Sequence, residues 1–128
     1  MAGRVLLDTN VVIALFSKQE PTPQPFPESE LFVSTTVLGE LYFGALKSAQ
    51  PAANLAGIEQ FASSIRLLDC DPVTAKHYAE IRMRLRSKGR PIPDNDIWIA
   101  AVALQYGLAL ATRDGHFREV DGLSVESW

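Results

Sequence analysis

The sequence is 128 residues long, 47% hydrophobic and 21% charged, with a formal net charge of −3. That length holds one ordinary domain with a real core, which excludes a disordered chain, and the acidic balance excludes an electrostatic grip on nucleic acid by the protein as a whole. No run reaches the roughly 18 apolar residues of a membrane helix, and Met1 to Arg4 is too short a prelude for a signal peptide, so a soluble cytoplasmic protein with no membrane partner is expected.

Arg4 to Asp8 reads as a buried strand. Thr9 or Asn10 is placed to cap a helix running through Val12, Ile13, Leu15 and Phe16. Pro21, Pro23, Pro25 and Pro27 forbid helix and favour an extended loop, which also carries Phe26. Leu31-Phe32-Val33 is a second short strand, ended by the cap residues Ser34-Thr35-Thr36. The next helix carries Leu38, Leu41, Tyr42, Ala45 and Leu46 at three-to-four spacing. Pro51 opens another, with Leu55, Ile58, Phe61, Ala62 and Ile65 on one face. Arg66-Leu67-Leu68 makes a third strand, closed by Asp69-Cys70-Asp71. The single cysteine, Cys70, allows neither an internal disulfide nor a cysteine zinc site, and reads as a small buried or half-buried side chain. Pro72 starts a long helix with Val73, Tyr78, Ile81 and Leu85 in its apolar stripe. Past Gly89 and Pro93, residues 94–106 form a nearly all-apolar, hence buried, helix. Leu108 to Thr112 is a fourth strand and Leu123-Ser124-Val125 a weak fifth. The alternation predicts one α/β domain over residues 1–128, a parallel sheet of four to five strands with helices on both faces.

In open parallel sheets, ligands bind outside the carboxyl ends of the strands. Asp8 ends the first predicted strand and Asp114 lies just past the fourth. Glu40 sits in the first turns of the helix after the second strand, and Asp96 at the start of the buried helix leading into the fourth. Order alone therefore collects four acids at one edge of the sheet. Singly, each has a bland explanation: Asp8, Asp94 and Asp96 fit helix starts, Glu40 complements a helix dipole, and Asp114 before Gly115 suits a turn. Together and unpaired they repel, and a divalent cation resolves the conflict. Oxygen ligation without a suitably spaced histidine or cysteine pair points to Mg²⁺ or Mn²⁺ rather than zinc, and to phosphodiester chemistry.

Four local sequences carry a resemblance. Leu7-Asp8-Thr9-Asn10, Thr36-Val37-Leu38-Gly39-Glu40-Leu41, Asn95-Asp96-Ile97-Trp98-Ile99-Ala100-Ala101 and Thr112-Arg113-Asp114 look like the four signatures of the PIN domain, in the right order and over nearly the full length. Among PIN domains the chain most resembles the VapC toxins of bacterial toxin–antitoxin pairs. The resemblance implies a three-layer fold and a Mg²⁺- or Mn²⁺-dependent endoribonuclease with an RNA substrate. It also implies a homodimer held inactive by a cognate antitoxin in a hetero-oligomer. It assigns metal binding to Asp8, Glu40 and Asp96, with Asp114 fourth, and supporting roles to Thr9, Asn10 and Thr112. Many relatives carry an acid just before the phenylalanine that is Phe117 here, whereas this chain has His116. The fourth acidic role thus falls on Asp114, with Asp94 as a possible substitute.

Arg82, Arg84, Arg86, Lys88 and Arg90 fall within nine positions, either a solvated helix face or a hold on RNA phosphates beside the acids. Arg86, Lys88, Arg90 and, above all, Arg113 are the candidate RNA contacts. His77 and His116 are expected on the surface, with proton donation by His116 the alternative, and Trp98 is expected in the core. An aspartyl-phosphate phosphatase is disfavoured because its second acid, two residues after the first, is Asn10 here. A receiver-like phosphoacceptor lacks its acidic pair, central aspartate and lysine. A non-catalytic PIN-like module that only binds RNA or protein sits poorly with four intact acids.

Overall fold

The computed structural model describes residues 3–16 and 30–127. The proline-rich segment around Phe26 and the terminal Trp128 lie outside them. Chain order is β1 (Arg4–Leu7), α1 (Thr9–Phe16), β2 (Glu30–Ser34), α2 (Thr35–Leu46), α3 (Pro51–Ser63), β3 (Arg66–Leu68), α4 (Pro72–Lys88), α5 (Asp94–Tyr106), β4 (Ala109–Thr112), a short 3-10 helix (Gly115–Glu119) and β5 (Val125–Ser127).

The strands form one five-stranded sheet in the order β3-β2-β1-β4-β5, with every neighbouring pair parallel. Successive residues of a strand face opposite sides of a sheet. Val5, Leu6 and Leu7 are all buried, so both faces of the central strand are covered, as the apolar runs require. β1 pairs with β2 on one side and β4 on the other, so the chain leaves β1 and β4 in opposite directions around a crevice at their carboxyl ends.

Local chemistry sets the helix ends. Ser34 Oγ accepts the Val37 N–H at 3.2 Å and starts α2. Asp71 and Thr74 form a reciprocal capping box at the start of α4, with Pro72 in the first turn. Gly89 and Gly107 close α4 and α5 in left-handed conformations that a side chain would strain. α5 is the buried helix of the fold: Ile97 and every residue from Ile99 to Ala103 are shielded. Three alanines among them let it lie close to the sheet and α4.

Several expectations need correction. Cys70 is exposed, because β3 is an edge strand and the turn after it faces outward. Val73 and Leu46, expected in apolar stripes, are exposed near helix ends. In α1 the shielded residues are Val11 and Val12, while Ile13 and Phe16 are exposed, with Phe16 edge-on to Phe61 of α3. β5 begins at Val125, two residues later than expected, because Gly122 turns the chain before the strand meets Leu110.

Candidate functional site

Asp8 follows β1 directly and is only 5% exposed. Its N–H donates to the Ala111 carbonyl at 3.0 Å, and its carbonyl accepts from Val11 and Val12 at 3.1 and 3.2 Å. The residue therefore extends the β1–β4 ladder and begins α1 itself, and neither Thr9 nor Asn10 is the cap. Its carboxylate is held from both sides: Oδ1 accepts the Thr9 N–H at 2.8 Å and Oδ2 the Thr112 hydroxyl at 2.6 Å. Burial pushes the Asp8 carboxyl up, and these hydrogen bonds offset part of that push.

Glu40, half-buried in the second turn of α2, accepts the Thr9 hydroxyl on Oε1 at 2.5 Å. The Asn95 side-chain amide approaches Oε2 at 3.4 Å. Thr9 thus orients Asp8 with its main chain and Glu40 with its side chain. Asp96 lies in the first turn of α5, whose cap position is Pro93, so no side chain closes that helix start. Burial first, then repulsion from Asp8, Asp114 and Glu40, raises Asp96 to about 6, and only the His116 imidazole pulls the other way. The four acids therefore occupy one electrostatic neighbourhood at the carboxyl edge of the sheet.

Asp114, just past β4, does two things. Its Oδ1 accepts the His116 N–H at 2.9 Å and so starts the 3-10 helix, the turn role that its place before Gly115 suggests. Its own N–H donates to Thr112 Oγ1 at 3.0 Å, which makes the Thr112 hydroxyl a link between Asp8 and Asp114. The 3-10 helix also brings His116 Nδ1 to 3.0 Å from Asp114 Oδ1 and 3.7 Å from Asp96 Oδ2. His116 is exposed, as expected, but it stands at the site. The signal was its place where relatives carry an acid.

The remaining candidates are spread wider. Asn10 Oδ1 accepts the Arg113 backbone N–H at 3.3 Å, which fixes the loop after β4. Asp94 is exposed, accepts the Tyr78 hydroxyl at 3.1 Å and lies 3.8 Å from Arg82, on the outer side of the α5 start. Arg82 thus ties the basic helix to the start of α5, two residues before Asp96. Lys88 is engaged elsewhere, with Asp121 at 2.9 Å and the Glu119 carbonyl at 2.6 Å, and Arg86 and Arg90 are exposed near the end of α4. Trp98 is half-buried rather than core: it stacks on Tyr78 at 4.1 Å and lines a shallow cleft with Thr35, Thr36, Cys70 and Asn95. Asn95 lies in the third signature, which assigns it no role at the site.

The PIN-domain family model matches residues 5–123. The chain belongs to the PIN family. Among similar members, ribonuclease VapC2 of Haemophilus influenzae is 38% identical over 98% of both chains. The tRNA(fMet)-specific endonuclease VapC of Shigella flexneri is 37% identical, again over 98% of each. Of solved structures, VapBC2 from Rickettsia felis, bound to a DNA fragment from its promoter, contains a chain that superposes with a TM-score of 0.87 at 26% identity, covering 98% of both. In this PIN domain the donor set fits a divalent cation. Asp96 and Asp114 bring carboxylate oxygens within 4.8 Å of each other, the charges of Asp8 and Glu40 are felt at Asp96, and hard oxygen donors are what Mg²⁺ and Mn²⁺ take.

Proposed function

We propose that this PIN-domain protein is a Mg²⁺- or Mn²⁺-dependent endoribonuclease and the toxin of a toxin–antitoxin pair. The observation that carries the reading is the convergence of Asp8, Glu40, Asp96 and Asp114 from four separate chain segments, whose repulsion adds to burial in lifting Asp96 to about 6. Asp8, Glu40, Asp96 and Asp114 would hold the cation. When bound, it supplies charge for the phosphate oxygens and activates water for attack on phosphorus.

The residues around the acids preorganise them. Thr112 and the Thr9 amide take one lone pair on each Asp8 oxygen and so fix the carboxylate plane. The Thr9 hydroxyl does the same for Glu40 Oε1. Asn10 anchors the loop that carries Asp114 through the Arg113 amide. Arg113, next to Asp114 in the chain, and Arg82, held at the α5 start beside Asp94, contact backbone phosphates of the RNA, with Arg86 and Arg90 extending the track. The Shigella relative is named for tRNA(fMet), which makes that RNA the first substrate to offer. A cognate antitoxin, encoded beside this gene, covers the protein in a hetero-oligomer built on a toxin homodimer in the cytoplasm. The VapBC complex from Rickettsia felis supports the partnership.

The test is cleavage of a 5′-labelled tRNA(fMet) and of total RNA with Mg²⁺ or Mn²⁺, and with chelator. Internal cuts that vanish with chelator are expected. Cutting that persists without metal would remove the proposed mechanism, and no cutting of either RNA would favour a binding module.

A further inference from the structure

His116 is left unused by the chemistry above, yet its ring is built into the site. One ligand atom each from Asp96, Asp114 and His116 lies within 4.8 Å of the other two. The Nδ1 separations are 3.0 Å from Asp114 Oδ1 and 3.7 Å from Asp96 Oδ2. Ligands with bonds of about 2.1 Å stand about 3.0 Å apart on adjacent corners of an octahedron and about 4.2 Å apart on opposite ones. The 3.0 Å separation matches adjacent corners, and the 3.7 Å separation lies between the two values.

The ring's position is fixed from the main chain outward. The His116 N–H is tied to Asp114 Oδ1 at 2.9 Å. The next residue, Phe117, is fully buried and pins the 3-10 turn into the core. An acid at this position in relatives offers oxygen, whereas imidazole offers nitrogen.

We propose that His116 Nδ1 is a direct ligand of the divalent cation shared with Asp96 and Asp114, giving this PIN domain a mixed oxygen–nitrogen metal site. The inference rests on the metal-dependent nuclease reading of the same residues. Ligation through Nδ1 uses the neutral ring with its proton on Nε2, on a side chain that is exposed. A nitrogen donor moves the site's preference away from Mg²⁺ toward Mn²⁺ and the later divalent metals. The rival use of the ring is a hydrogen bond from Nδ1–H to Asp114, which puts no nitrogen on the metal.

Mn²⁺ bound to the full chain, read by electron spin-echo envelope modulation, separates the two. Histidine-selective ¹⁵N labelling identifies the nucleus, since the only other histidine, His77, lies on α4. An imidazole nitrogen coupling is expected in the wild type. It is lost in His116→Asp, which still binds Mn²⁺ and whose Mg²⁺-to-Mn²⁺ affinity ratio moves about tenfold toward Mg²⁺. Bound Mn²⁺ without nitrogen coupling in the wild type would overturn the proposal, as would coupling that survives in His116→Asp. A wild type that binds no Mn²⁺ at all would remove the nuclease reading with it.

Discussion

The Thr112 hydroxyl donates to Asp8 Oδ2 at 2.6 Å, joining the residue after β1 to the last residue of β4 across 104 positions of sequence. Both side chains are buried, and the same hydroxyl accepts the Asp114 N–H. A threonine that seals a strand end in an ordinary sheet needs only a β-branched shape. This one is needed for its oxygen. Thr112→Val keeps the shape and strands a buried carboxylate oxygen, so we predict a loss of about 1–3 kcal/mol in stability together with reduced RNA cleavage. Thr112→Ser retains the donor and should recover most of both. Urea unfolding of the metal-free proteins, paired with cleavage assays, provides the comparison; equal stability of Thr112→Val and wild type would refute the positioning role.

Asp96 makes the stability of the metal-free protein depend on pH. Its carboxyl is raised from 3.8 to about 6 by burial and by the neighbouring acids. Between roughly pH 4 and pH 6 the folded chain therefore holds more protons at this site than the unfolded chain, and stability falls as pH rises through that window. Above it the penalty is fully present. Asp8, raised for the same main reason, acts in the same direction. Asparagine mimics the protonated acid, so Asp96→Asn should match wild type near pH 4 and exceed it at pH 7 by on the order of 2 kcal/mol. Thermal melts in chelator across pH 4–8 decide this. Adding Mn²⁺ at pH 7 should reverse the order, since the cation stabilises only a chain that binds it.

Arg82 and Lys88 separate the two uses of the basic helix. Arg82 meets Asp94 beside the α5 start, whereas Lys88 is paired with Asp121 and the Glu119 carbonyl. We predict that Arg82→Ala weakens RNA binding several-fold and lowers the salt dependence of KM, with kcat little changed. Lys88→Ala should leave KM alone and cost at most about 1 kcal/mol, as expected for a surface pair. Cleavage kinetics at two or more salt concentrations, alongside melts of both variants, would show it. A larger KM effect from Lys88→Ala would mean that RNA runs along the other end of α4.

The acids were legible because each sits at a boundary the sequence marks. Asp8 follows the apolar run Val5 to Leu7, Glu40 follows the Ser34 cap, Asp96 follows Pro93, and Asp114 follows Ala109 to Thr112. In a parallel sheet those boundaries share one edge. What the sequence did not reveal depends on three-dimensional turns and on edges. His116 reaches Asp96 only because a 3-10 helix of five residues folds back over the site. Asn95 reaches Glu40 across two helix starts that no periodicity relates. Cys70 is exposed because it follows an edge strand, and the order of strands is invisible to local pattern. Lys88 and Arg82 differ by less than two helical turns, and only the neighbours contributed by other elements distinguish them.

Carboxylates gathered at the carboxyl edge of the sheet, Asp96 among them, are proposed to hold the cation that would activate water for RNA cleavage. The most direct measurement is the single-turnover cleavage rate of Asp96→Asn against wild type in saturating Mn²⁺, with a thermal melt of each protein in chelator. A rate at least about a hundredfold lower is expected for Asp96→Asn, in a protein that melts no lower than wild type. Cleavage by Asp96→Asn at the wild-type rate would contradict it.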